Sequence, residues 1–289
     1  MKVFRDYEQA ELDRQYDQRA WAPNAAEVIR RYSENSDAVR ARLGEPQSYA
    51  YGNSDAETLD LYRCPEPNAP LNVFIHGGAW RLLGKRDSAF PAEVFVNAGA
   101  HFVALDFARL PMVTLAEMAS QVRGALAWLY RNAETLSADR ERIYVCGHSS
   151  GAHLAALAAV TDWPAQYRLP LDAVKGVLCA SGIYELRPVR LSARNDYVRL
   201  DDASEHALSP QRHVARLGCD LVVACAEFDS DEFRRQAHEF AHAAGNRARL
   251  IEGKAINHFE IAETLADPAA LLGRAALTQM GLSANRRQA

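Results

Sequence analysis

The run Arg142-Ile-Tyr-Val-Cys146-Gly147-His148-Ser149-Ser150-Gly151-Ala152-His153-Leu154 reads as a strand, then Gly-x-Ser-x-Gly, then a helix of small residues. A serine on a sharp strand-to-helix turn presents its hydroxyl to a reacting carbonyl, and flanking glycines let the chain approach itself closely. The first N–H groups of the following helix point toward whatever sits on the serine, which suits a developing oxyanion. The spacing makes Ser149 the nucleophile and leaves Ser150 to contribute its backbone N–H, not its hydroxyl. A Gly/Ser-rich loop is the plainer alternative. The strand before and the Ala-rich helix after argue against it.

Upstream, a buried run ends in His76-Gly77-Gly78-Ala79-Trp80. Glycines at such a strand end let main-chain N–H groups turn inward as the second half of an oxyanion hole, here from Gly77, Gly78 and Ala79. Trp80 is expected to wall the acyl or aryl pocket, and His76 to tie down the loop. A serine also needs a base, and the base an acid that fixes its tautomer. Of nine histidines, His258 follows the final strand candidate in a loop and is the expected base. The acid is expected after Asp220–Ala226, where Asp229, Asp231 and Glu227 compete, the others reading as caps of the helix that follows.

These groups need a scaffold. Short apolar runs alternating with helical patterns predict strands at Ser48–Tyr51, Thr58–Cys64, Leu71–Ile75, Phe102–Asp106, Arg142–Cys146, Gly176–Ala180, Asp220–Ala226 and Ala248–Glu252. The first two, split by Asn53-Ser54-Asp55, read as an edge hairpin. Leu115, Met118, Ala119, Val122, Leu126 and Leu129 predict a helix over 114–133. The whole describes a doubly wound, mostly parallel eight-stranded sheet with helices on both faces. No repeat or linker divides the 289 residues, so one domain is expected over 1–289. Its charged 1–45 segment is read as helical and a lid candidate, and the arginine-rich connection 185–205 as a second one. Among Arg187, Arg190, Arg194 and Arg199 a carboxylate partner is a possibility that spacing does not assign, since a solvated loop reads equally well.

Taken together, His76-Gly-Gly-Ala-Trp80 and Gly147-His-Ser-Ser-Gly151 resemble the hormone-sensitive-lipase-like branch of the α/β hydrolases. Adding Glu227-Phe-Asp-Ser-Asp-Glu-Phe-Arg-Arg-Gln236, Asn257-His-Phe259, Leu12-Asp-Arg-Gln-Tyr16 and Leu110-Pro-Met-Val-Thr-Leu115, the chain is similar to the kynurenine formamidase (arylformamidase) family along nearly its whole length. That resemblance implies Asp229 as the acid, an acyl-enzyme mechanism without metal or organic cofactor, and hydrolysis of an aryl formamide such as N-formylkynurenine or a related aryl amide. A short-chain carboxylesterase is the runner-up. A non-catalytic ligand receptor is a remote third, because such proteins lose a triad member and all three candidates stand here in order.

The net charge of −4 gives no reason to expect nucleic acid or an anionic membrane as partner, and a small-molecule substrate fits better. A homodimer is the assembly considered. No run approaches the roughly 20 apolar residues of a membrane span, and the charged N-terminus lacks a secretory apolar stretch. Cys146, Cys179 and Cys225 lie in apolar runs and read as buried hydrophobes of a reducing compartment, so the cytoplasm is the expected address.

Overall fold

The computed structural model describes residues 1–283, so 284–289 of the span expected as one domain lie outside the described residues. A small hairpin, β1 (Lys2–Phe4) with β2 (Tyr7–Glu8), opens the chain, ahead of the helices expected there. Helices Gln9–Tyr16 and Ala25–Leu43 follow. The main sheet is built from β3 (Gln47–Ala50), β4 (Thr58–Tyr62), β5 (Ala69–Ile75), β6 (His101–Leu105), β7 (Ala138–His148), β8 (Gly176–Ala180), β9 (Asp220–Ala226) and β10 (Ala248–Gly253). Its spatial order is β10-β9-β8-β7-β5-β6-β4-β3. Strands β5 to β10 pair in parallel, while β4 runs antiparallel to both β3 and β6. This is the doubly wound sheet of the α/β-hydrolase fold.

Period-two alternation sends successive side chains to opposite faces. In β5, Leu71, Val73 and Ile75 join one core with Leu115, Met118 and Val122 of helix Leu115–Asn132 and with Phe233 and Phe240 of helix Asp231–Ala244. Phe74 joins the other core, with Phe95, Phe102 and Val28 of helix Ala25–Leu43. Every β5 residue is buried, which is why this strand reads as a near-continuous apolar run, broken only by the buried Asn72, and not as an alternation. Thr114 lies outside its helix as the N-cap, in a capping box with Glu117. All five cysteines are free and buried.

The order places the site. β5 lies between β6 and β7, so the connections leaving β5 and its neighbours diverge, and a crevice opens beyond the carboxyl ends of these strands. The Gly77-Gly78 loop follows β5 and Ser149 follows β7, which runs two residues further than expected to reach it. The connection 185–205 is not a bare loop. It carries three short helices, Arg187–Leu191, Asn195–Val198 and Asp202–Ala207.

Candidate active site

Ser149 stands between β7 and helix Ser150–Ala159 with φ 55° and ψ −122°, a conformation that costs a β-carbon-bearing residue about 1–3 kcal/mol. Two glycines make the turn possible. A Cβ on Gly147 would come within 2.4 Å of the Gly151 carbonyl oxygen, and one on Gly151 within 2.1 Å of the Ile75 carbonyl oxygen. The helix that follows is buried along its whole length, which explains its alanines.

From Ser149 Oγ it is 2.9 Å to His258 Nε2, and from His258 Nδ1 2.6 Å to Asp229 Oδ1. The other carboxylate oxygen, Oδ2, accepts from Ser181 Oγ at 2.6 Å and from the Ala226 N–H at 2.8 Å. Both His258 and Asp229 are buried, and the Phe233 and Phe259 rings meet the imidazole edge-on at 5.1 Å. His148 Nε2 donates to the His258 carbonyl at 2.7 Å, bracing the backbone of the base. Burial, aided by the adjacent His258, lowers the pKa of His148 to about 3, so the ring is neutral and its one proton sits on Nε2 to make that bond. Asp231 and Glu227 stand apart. Asp231 is the exposed first residue of its helix, which Ser230 caps, and Glu227 accepts from the Ala255 N–H.

Gly78, Ala79 and Trp80 have φ of 103°, 53° and 61°, a run of left-handed residues that reverses the chain beside Ser149. Gly78 must be glycine, because a Cβ there would lie 2.2 Å from the Leu82 carbonyl oxygen. The N–H groups of Gly78, Ala79 and Ser150 meet no acceptor among the described residues, while Gly78, Ala79 and Ser149 line one cavity. A Cβ on Gly77 would lie 3.2 Å from Ser149 Cβ, so a glycine here lets the loop pass close to the nucleophile, and its N–H likewise meets no acceptor among the described residues. Ser150 spends its hydroxyl accepting from the Trp80 N–H at 3.1 Å. His76 is buried, stacked on Phe107 at 4.5 Å and bonded to the Gly77 carbonyl.

Trp80 does not wall the pocket. It is 1% exposed and packs edge-on against His153, because the two left-handed residues Ala79 and Trp80 turn its ring into the core. The cavity, about 330 Å³, is walled instead by Tyr16, Tyr32, Leu82, Leu83, Tyr197 and Phe259. Both lid candidates therefore contribute: Tyr16 and Tyr32 from the N-terminal segment, Tyr197 from the connection after β8.

Ser181 escaped the sequence reading. Its signal was available, since it directly follows β8 at the carboxyl end where such sites form. Ser181→Ala removes a hydrogen bond to a buried carboxylate, a bond worth about 1.5–3 kcal/mol. We expect kcat to fall roughly tenfold while Ser181→Thr restores most of it. Equal kcat in native protein and Ser181→Ala would show that the Ala226 N–H alone holds the acid.

Comparison with known proteins follows the same lines. The BD-FAE family model matches residues 59–180. Kynurenine formamidase of Danio rerio is 32% identical over 98% of this chain and 100% of its own length, and that of Salmo salar matches equally at 32%, 98% and 100%. The chain belongs to the kynurenine formamidase family. Among solved structures, a Pyrobaculum calidifontis esterase superposes with a TM-score of 0.67 at 20% identity, over 89% of this chain and 91% of that one, which shows the shared fold. The family's members and relatives make the protein a hydrolase of the esterase and amidase kind. Among the described residues no helix is long and apolar enough to cross a membrane.

Proposed function

We propose that this protein hydrolyses aryl formamides of the N-formylkynurenine type through an acyl-enzyme on Ser149. The observation that carries this reading is the unbroken Ser149–His258–Asp229 relay opening into a small cavity with aromatic walls. Ser149 Oγ attacks the formyl carbon as His258 Nε2 takes its proton, and Asp229 stabilises the resulting imidazolium. N–H groups of Gly78, Ala79 and Ser150 hold the oxyanion, each contributing about 3 kcal/mol to the transition state. His258 returns the proton to the anilide nitrogen, the C–N bond breaks and the arylamine leaves. Water, deprotonated by His258, then cleaves the formyl ester, releasing formate and Ser149. No other group is consumed.

The names of the fish relatives support a formyl group over longer acyl chains, and Gly78, Ala79 and His148 border the cavity beside Ser149. On one aryl amine, kcat/KM is expected to fall steeply from formyl through acetyl to butyryl, by at least about tenfold per step, in line with the 1–3 kcal/mol that one methylene commands in a pocket. A maximum at butyryl, or turnover of esters alone, would replace the formamidase by a short-chain carboxylesterase.

A further inference from the structure

The arginines around this cavity are not equally partnered. In the connection after β8, Arg190 pairs with Asp202 and Glu205, and nearby Arg212 also pairs with Glu205. Arg235 is held by Glu185, Glu232 and Glu239. Arg194 is different. It lines the cavity, and its guanidinium lies over the Tyr16 ring at 5.5 Å and the Trp80 ring at 5.9 Å. Nη2 donates to the Tyr16 carbonyl, whereas Nη1 is buried and has no hydrogen-bond partner among the described residues. No carboxylate among the described residues forms an ion pair with it.

A buried guanidinium nitrogen without an acceptor is costly, and the group cannot discard its charge. The surroundings do not supply the missing anion. Arg19 and Arg81 line the same cavity, Arg81 stacked on Tyr197 at 4.4 Å, against one acidic wall residue, Asp17, which accepts from the Arg19 backbone. The guanidinium lies over both rings, and its unpartnered Nη1 is a donor suited to the oxygens of a carboxylate.

We propose that Arg194 is a specificity-determining residue, binding the carboxylate that a substrate of the proposed type carries on its far arm, away from the scissile bond. This rests on the reading that the cavity beside Ser149 is the substrate site. The test uses ortho-formamidobenzoylpropionate and its primary amide, which share the scissile bond and differ by one charge. The native protein is expected to show kcat/KM at least about 30-fold higher for the carboxylate, mostly through KM. Arg194→Met should collapse that ratio to below about threefold, and Arg194→Lys should restore part of it, since charge survives without the fork. A native ratio near one overturns the proposal. So does a preference that survives Arg194→Met and disappears in Arg81→Met. Failure of the formamide reading is separately visible: if para-nitrophenyl acetate is turned over and neither formamide is, the same ratios are read from competitive inhibition by benzoylpropionate and its amide. Circular dichroism of each variant confirms that the protein measured is folded.

Discussion

Ser149→Ala is expected to reduce turnover of any substrate by at least about 10⁴-fold, with the fold intact. The reduction follows from the relay itself: His258 Nε2 has one protein partner at 2.9 Å, and without that hydroxyl no acyl-enzyme forms. The fold is spared because Ala occupies the same backbone angles and removes one oxygen at a cavity wall, so no sizeable void opens. The melting temperature should stay within about 3 °C of the native value. Ser150→Ala should behave in the opposite way. Its hydroxyl accepts the Trp80 N–H, and leaving a buried donor unmet costs about 1–3 kcal/mol of stability, with the nucleophile untouched. Steady-state kinetics and thermal melts on both variants decide the assignment. An active Ser149→Ala beside an inactive, stable Ser150→Ala would overturn the reading of the turn.

Asp229→Asn should lower kcat by about 10³- to 10⁴-fold, and the hydrogen bonds around it say why. The Ala226 N–H can only donate, so the amide oxygen must take the place of Oδ2. The amide NH₂ then faces His258 Nδ1, which forces the ring into the tautomer whose Nε2 carries a proton and cannot accept one from Ser149. Asp231→Asn, on an exposed first helical residue, should change kcat by less than about threefold and cost roughly 0.3–1 kcal/mol through the helix dipole. The reverse ranking would transfer the acid's role to Asp231.

The sequence alone determined the parts whose physics is local. The turn at Ser149 was legible because glycine at 147 and 151 is demanded by backbone approach within a few residues and by the strand beneath. Seven of the strand candidates needed only an apolar run and a flanking turn signal, and chain order after the last strand singled out His258. β7 was read short at its start because the charged residues Asp139, Arg140 and Glu141 precede its apolar run; pairing with β5 brackets them, from Ala138 opposite Ala69 to Ile143 opposite Leu71, across a register irregularity.

What the tertiary structure decided depends on groups distant in sequence. Spacing leaves Asp229, Asp231 and Glu227 in competition, and the resemblance favours Asp229; the fold separates them by bringing His258 to its Oδ1 and Ser181 and Ala226 to its Oδ2. Trp80 looked like a pocket wall beside two glycines. Whether its ring turns toward the cavity or the core depends on two backbone angles, and those follow from packing against helix Ser150–Ala159, to which the Trp80 N–H is bonded. Nor does spacing separate Arg194 from its neighbours, because all four arginines of 185–205 read alike until Tyr16, nearly 180 residues away, is laid against one of them. A charge's role is set by which partners reach it, and those partners are brought together only by the fold.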